Sequence, residues 1–444
     1  MGRLFGTDGV RGVANSELTP ELVFRLGEAA GHFLADKGRG RLVVGRDSRL
    51  SGDMLEAALV AGICSGGADA FVCGVVPTPA VAYLTKAMDA DGGVVISASH
   101  NPPEYNGVKF FSRDGFKLTD ELEDEIEEYV KGGGGWSRPT GSAIGVVRRV
   151  DDANARYISH AVDTIEVDLE GMTIAVDCGH GAASVTTITA LKELGAKVIP
   201  LNCDFDGAKI NVKCGSTDLS QLRELVLSHD VDFGVAHDGD ADRVLVLDEK
   251  GETIDGDTII AICAAHLHSR GDLPNATVVG TVMSNLGFDV AMKHSGIQVI
   301  RTKVGDRYVL EQMQASGAVL GGEQSGHIIF MQHNTTGDGL IAALQLASVI
   351  KQSRQPLSSL AAIMTRYPQV LKNVRVKDKA LMSTSVALSD AIAVATREMG
   401  EEGRVLVRAS GTEPLVRVMV EAADEDVALR TADHLARIVK NELG

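Results

Sequence analysis

The chain alternates short apolar runs with helical periodicities, in the same order three times. The first stretch is "RLVVGRDSRLSGDMLEAALVAGICSGGADAFVCG", from residue 41. An apolar strand ends near Gly45, polar residues turn, an amphipathic helix follows, and Gly66-Gly67 leads into a second strand. The second stretch is "MTIAVDCGHGAASVTTITALKELGAKVIPLN" and the third "ATVVGTVMSNLGFDVAMKHSGIQVIRTK", with Gly195 and Gly296 at the matching break. Strands that alternate with helices predict βαβ units and a mainly parallel sheet. Each stretch continues through another helix into another strand. That strand ends in a polar loop: "SASHNPPEYNG", "HDGDADR" and "GGEQSGH". Ligands in open α/β sheets gather outside the carboxyl ends of strands. The repeat therefore predicts three loops at equivalent positions, facing one cleft.

From about residue 370 the pattern changes. "VLKNVRVKD", a helical stretch near 386–399, "RVLVRASGTEPLVRVMVEA" and a final helix predict a smaller α+β domain. The expected fold is thus α/β: three related domains with mixed, mainly parallel sheets at 1–152, 153–252 and 253–367, then the α+β domain at 368–444. Length alone, 444 residues at ~150 per domain, predicts about three domains.

Composition narrows the function classes. Aromatic residues are 4% and glycines number 49, which suits tight strand-to-helix turns better than a β-sandwich. The net charge of −17 repels nucleic acid and anionic membranes, so neither is an expected partner. An anionic substrate needs local Arg and Lys to overcome that field. The six cysteines have no C-x-x-C spacing and predict reduced core thiols in a cytoplasmic protein. The start, "MGRLFGTDGVRG", lacks the apolar segment of a signal peptide, and no apolar run reaches membrane-spanning length.

The loops carry distinct chemistry. Asp238, Asp240 and Asp242 alternate with small residues, so their oxygens can turn towards one hard cation. An EF-hand loop needs Gly where Arg243 stands, and both flanks read as strands. Mg²⁺ in a strand-end loop is the expectation, with Arg243 orienting a phosphate. In "VVISASHNPPEYNGVKFF" Ser99 follows the strand, and Pro102-Pro103 stiffen what comes next. Asn106-Gly107 predicts a type I′ hairpin that returns the chain with Lys109 beside the serine loop. "GGEQSGH" offers Glu323, Ser325 and His327 among glycines, suited to sugar hydroxyls or an amine. "RASGTEPLVR" sets Arg408, Ser410, Gly411, Thr412 and Arg417 around one turn, a phosphate cradle. "FGTDGVRG" (Gly6, Thr7, Asp8, Arg11) is a further polar, glycine-rich loop.

Together "SASHNP", "DGDADR", "GEQSGH" and "RASGTEP" resemble, in order, the four signature loops of the α-D-phosphohexomutase superfamily. "FGTDGVRG", "VGDRYVLE" and "GTEPLVRVMVE" resemble its amino-sugar branch. The resemblance covers essentially the whole chain. It implies four domains around a central cleft, one Mg²⁺ per subunit, and conversion of glucosamine 6-phosphate to glucosamine 1-phosphate through a 1,6-bisphosphate, on the route to cell-wall precursors. Ser99 is then the phosphoserine, and Asp238, Asp240 and Asp242 hold the metal together with it. Lys109 and His327 become candidate proton-transfer groups supported by His100. Glu323 and Ser325 become sugar contacts, and Arg408, Ser410, Gly411, Thr412 and Arg417 hold the non-reacting phosphate. Ala241 replaces the Gly of many members, and Gln324 an Asn or Met. A homodimer and a diadenylate cyclase partner are implied by the same resemblance. The competing readings are a phosphomannomutase or phosphoglucomutase, a metal phosphatase and a sugar-phosphate sensor.

Overall fold

The computed structural model describes residues 3–6, 8–34, 39–132, 137–410 and 414–444. Two compact units emerge: Met1–Met283 with Ile297–Ile363, and Ser284–Gly296 with Met364–Gly444. No helix among the described residues is long and apolar enough to cross a membrane.

The first unit contains three sheets of one design. In the first, Gly92–Ile96 runs parallel to Arg41–Arg46 and antiparallel to Tyr105–Ser112. In the second, Phe233–His237 runs parallel to Thr173–Asp177 and antiparallel to Val244–Asp248. In the third, Leu320–Gly322 is parallel to Thr277–Thr281 and antiparallel to Ile328–Phe330. The three polar loops, 97–104, 238–243 and 323–327, each join the last parallel strand to its antiparallel neighbour. The sheets are mixed, as the α/β pattern predicts.

Asn106-Gly107 is not the hairpin turn. Both residues lie inside the strand Tyr105–Ser112, and the reversal falls in 97–104. Asn106 Oδ1 accepts Gly107 N–H, and Asn106 Nδ2 donates to Ser51 Oγ. Gly107 is needed for close approach: a Cβ there would lie 2.5 Å from Ser97 O. Lys109 still arrives beside the serine loop, opposite Val95.

Glycines also seat the first two long helices. Gly27 and Gly31 of Pro20–Phe33 meet Gly62 and Gly66 at Gly52–Ser65, so the backbones touch. A Cβ on Gly62 would overlap Phe24 O, and one on Gly27 would overlap Leu59 O. Overpacking of this kind costs roughly 1–3 kcal/mol. Gly62→Ala should therefore lower the urea midpoint at unchanged slope, with activity per folded molecule retained.

Residues 334–339, "NTTGDG", tie the first unit together. Asn334 Nδ2 donates to Pro79 O, and Thr335 Oγ1 to Gly115 O. Tyr157 Oη donates to buried Asp338 at 2.7 Å, and Gly339 N–H to Ala241 O.

The second unit is an antiparallel sheet, Gln369–Arg375, Leu415–Ala422 and Gly403–Ala409, covered by Val386–Met399 and Glu425–Leu443. Buried Glu421 accepts from Arg404, Gln369, Asn285 and the Leu286 amide, which anchors the helix Leu286–His294. This matches the smaller α+β domain expected from the sequence.

Candidate active site

Gly92–Ile96 is buried along its whole length and delivers two serines beyond its end. Ser97 Oγ accepts Ser99 N–H at 2.9 Å and donates to Asp47 at 2.7 Å, so Ser97 supports the turn. Ser99 is 1% exposed and held at φ +51°, a left-handed conformation that non-glycine residues adopt only under constraint. Its Oγ donates to Asp238 Oδ2 at 2.6 Å and lies 3.4 Å from His100 Nδ1. Burial, then Arg243 and Arg11, lower the His100 pKa to about 4, so its ring is neutral near pH 7.

Asp238, Asp240 and Asp242 are buried, and one oxygen from each lies within 4.8 Å of the others. Lys109 Nζ donates to Asp240 at 2.8 Å and Asp242 at 3.4 Å, and Thr78 Oγ1 to Asp240 at 2.6 Å. Burial, with Asp242 and Asp240 beside it, pushes Asp238 well above the usual carboxylate range. Burial would raise Asp240 too, but the Lys109 charge and hydrogen bonds from Lys109 and Thr78 hold it low. The Oδ1 atoms of Asp240 and Asp242 accept no hydrogen bond among the described residues. Buried carboxylate oxygens without donors fit a hard divalent cation. Ala241, at φ +55°, gives the left-handed step of the loop without glycine.

Cations line the same place. Burial alone would lower the Lys109 pKa; Asp240, Asp8 and Asp242 overcome it and keep the group an ammonium. Asp8 lies 3.1 Å from Lys109 and also pairs with Arg11 and Lys117, and Lys117 pairs with Asp306. Asp8 and Arg11 of "FGTDGVRG" thus belong to the neighbourhood of Lys109, while Gly6 pairs with Gly9; Thr7 lies outside the described residues. Arg243 Nε is 3.9 Å from Asp242 and has no hydrogen-bond partner among the described residues.

In the third loop Glu323 Oε1 accepts Gly305 N–H at 2.9 Å, and Gly305 sits at φ +131°, which requires glycine. Gln324 donates its amide to Asp255, which caps the helix Gly256–Arg270. That contact gives Gln324 a structural partner. Ser325 is exposed. His327 is 3% exposed; its Nε2 accepts Gly337 N–H at 3.1 Å and its Nδ1 lies 3.7 Å from Asp242. A neutral ring so placed carries its proton on Nδ1. Ser99, His100, Lys109, Arg243, His327 and the three aspartates therefore form one cluster in the first unit.

In the second unit Arg408 and Arg417 stand directly opposite on neighbouring strands. Burial and Arg417 lower the Arg408 pKa, so an anion there relieves repulsion. Ser410 is buried, and its carbonyl accepts Lys379 Nζ at 2.7 Å. Gly411 and Thr412 lie outside the described residues.

Comparison with known proteins gives these clusters a context. Family models of phosphoglucomutase/phosphomannomutase match in four pieces: alpha/beta/alpha domain I at residues 2–134, domain II at 155–251, domain III at 255–367 and the C-terminal domain at 371–438. A phosphoglucosamine mutase of Desulforamulus reducens is 54% identical over 443 residues, covering 99% of this chain and all of that one. One from Thermoanaerobacter sp. is 53% identical over 446 residues and covers both chains completely. The chain belongs to the phosphoglucosamine mutase family. Its fold is shared with a phosphoglucomutase/phosphomannomutase family protein of Burkholderia thailandensis (TM-score 0.84, 25% identity, 99% and 97% of the two chains). An N-acetylphosphoglucosamine mutase of Aspergillus fumigatus, solved with GlcNAc-6P and magnesium, shares the fold at TM-score 0.71 and 18% identity, covering 99% and 96%.

For this member of the phosphoglucosamine mutase family, sequence reasoning missed Asp47, Arg49, Thr78, Asn211 and the 334–339 segment. All touch the serine loop, the metal loop or His327. A signal existed for two of them: "GRDSRLSG" follows an apolar strand, at the same strand-end position as the recognised loops.

Proposed function

We propose that this chain interconverts glucosamine 6-phosphate and glucosamine 1-phosphate through phosphorylated Ser99 and a glucosamine 1,6-bisphosphate. The observation that carries this is Ser99 Oγ, 2.6 Å from Asp238 inside a buried cluster of three aspartates, in a chain of this family. A sugar hydroxyl attacks the phosphorus on Ser99. The new P–O bond to the sugar forms, the bond to Ser99 Oγ breaks, and the hydroxyl proton leaves to a base. The bisphosphate turns over, Ser99 Oγ attacks its other phosphoryl group, and the monophosphate leaves with the phosphate moved.

Geometry supports a part for His100, Lys109 and His327. Neutral His100 beside Ser99 Oγ can accept a proton. Lys109, paired with Asp240 and Asp242, brings positive charge to the transferred phosphoryl group and is a candidate proton-transfer group. His327 holds a proton on Nδ1. Arg243 orients phosphate, and Glu323 with Ser325 meets the sugar. Arg408, Ser410, Gly411, Thr412 and Arg417 are assigned to the non-reacting phosphate. Asp238, Asp240, Asp242 and Ser99 would hold Mg²⁺, which when bound neutralises charge on the phosphoryl group. Domain divisions after 152, 252 and 367 and a cytoplasmic location complete the proposal from the sequence pattern, and a homodimer and a diadenylate cyclase partner from the resemblance.

Glucosamine, glucose and mannose phosphates assayed in parallel test the substrate. Glucosamine phosphate should turn over fastest; faster glucose or mannose turnover overturns the assignment, and net release of inorganic phosphate points to a phosphatase. Chelation should abolish turnover, and added Mg²⁺ should restore it; activity that survives exhaustive chelation contradicts the metal assignment.

A further inference from the structure

Arg49 is 1% exposed, in the turn after Arg41–Arg46. Its Nη2 donates to Ser99 O at 2.8 Å and Asn101 O at 2.9 Å, and its Nη1 to Pro102 O at 2.5 Å and Tyr105 O at 3.0 Å. Its Nε donates to Asp47 Oδ2 at 2.9 Å. A guanidinium has five N–H donors, and these contacts engage all of them. Asp47 is fully buried, accepts the Arg49 amide on its other oxygen at 3.0 Å, and takes the Ser97 hydroxyl. From the second domain, Asn211 Nδ2 donates to the same two carbonyls, Ser99 O at 2.8 Å and Asn101 O at 3.1 Å.

A structural glue has no reason to converge on one loop in this way. The carbonyls of Ser99 and Asn101 are each gripped by two side chains from different domains. Between them the nucleophile sits at φ +51°, a conformation that persists only when its surroundings over-determine it. The φ and ψ of Ser99 set the direction of its Cβ, and hence whether Oγ points at Asp238. With its donors engaged, Arg49 has none left for substrate phosphate.

We propose that Arg49, oriented by Asp47 and seconded by Asn211, is a positioning residue for the Ser99 nucleophile. It returns Oγ to the same place each time a phosphoryl group leaves or arrives. The inference rests on the proposed function, because it needs Ser99 to carry phosphate.

The test uses full-length wild type, Arg49→Lys, Arg49→Ala and Asn211→Ala. kcat and KM are measured for glucosamine phosphate. Phosphate on Ser99 is followed by intact mass after mixing with glucosamine 1,6-bisphosphate, and folding by thermal melting. A misplaced reacting group costs on the order of 100-fold. Arg49→Lys, whose ammonium cannot reproduce a planar fork, should lose about that much in kcat with KM within about threefold, and Ser99 should load more slowly by the same factor. Asn211→Ala should show a smaller loss of the same kind. Methylguanidine should restore part of the Arg49→Ala loss, which a purely structural role does not predict.

Normal kcat in folded Arg49→Lys overturns the proposal. So does a rise in KM alone, or a loss that only tracks the folded fraction. If the Arg49 variants do not fold, normal kcat and loading in Asn211→Ala overturn it. Wild type that takes no phosphate sinks the underlying function. Wild type that loads at the same rate as folded Arg49→Lys sinks the positioning role alone.

Discussion

Ser99→Ala should lose interconversion of the two glucosamine phosphates by about 10⁴-fold or more, the scale of removing a covalent nucleophile. The protein should stay folded. Ser99 contributes one short hydrogen bond to Asp238, and a lost bond of this kind costs about 1–3 kcal/mol. Ser97→Ala separates chemistry from support. It removes the acceptor of Ser99 N–H and a donor to Asp47 but leaves the nucleophile, so activity should fall by only about 10- to 100-fold. Equal losses in the two variants, measured by coupled assay, would contradict the division of labour between the serines.

The second large effect belongs to Lys109→Met. Lys109 is 2% exposed and neutralises Asp8, Asp240 and Asp242 at 3.1, 2.8 and 3.4 Å. Methionine fills similar space but leaves buried carboxylates facing one another. Breaking a buried ion pair costs about 3–5 kcal/mol. Losing a cation aimed at the transferred phosphoryl group costs about 100- to 1,000-fold in kcat. The two losses can be told apart with Mg²⁺. A divalent ion supplies part of the missing positive charge, so Mg²⁺ should raise the melting temperature of Lys109→Met by more than that of wild type. An unchanged melting temperature in Lys109→Met, with or without Mg²⁺, would show that the ammonium does not hold this cluster together.

The chemistry was legible where it is written in runs. "SASHNP", "DGDADR" and "GEQSGH" stand at strand ends, and the structure places them at the same point of three similar sheets. Periodicity revealed the repeat because each sheet buries its central strands, so the apolar runs were long enough to count. Other contacts left no such trace. Lys117 reaches Asp8 and Asp306 across 109 and 189 residues, and no local pattern announces either pair. Arg49 reads as an ordinary charge in a polar turn; only the fold reveals that it is buried and surrounded by carbonyls. Asn106-Gly107 misled because two needs share one dipeptide. Glycine serves a left-handed turn, but it also serves a strand that must pass close to a carbonyl, here Ser97 O. Propensity cannot distinguish these uses; the neighbouring strand decides.

In the proposed function, Ser99 carries the phosphoryl group between the two ends of the sugar. Wild-type protein mixed with glucosamine 1,6-bisphosphate, then measured by intact mass and peptide mapping, tests it most directly. One phosphoryl group per chain is expected, on Ser99, and it should be removed by glucosamine 6-phosphate. Phosphate on Ser97, or full interconversion by protein that never carries phosphate, would contradict it.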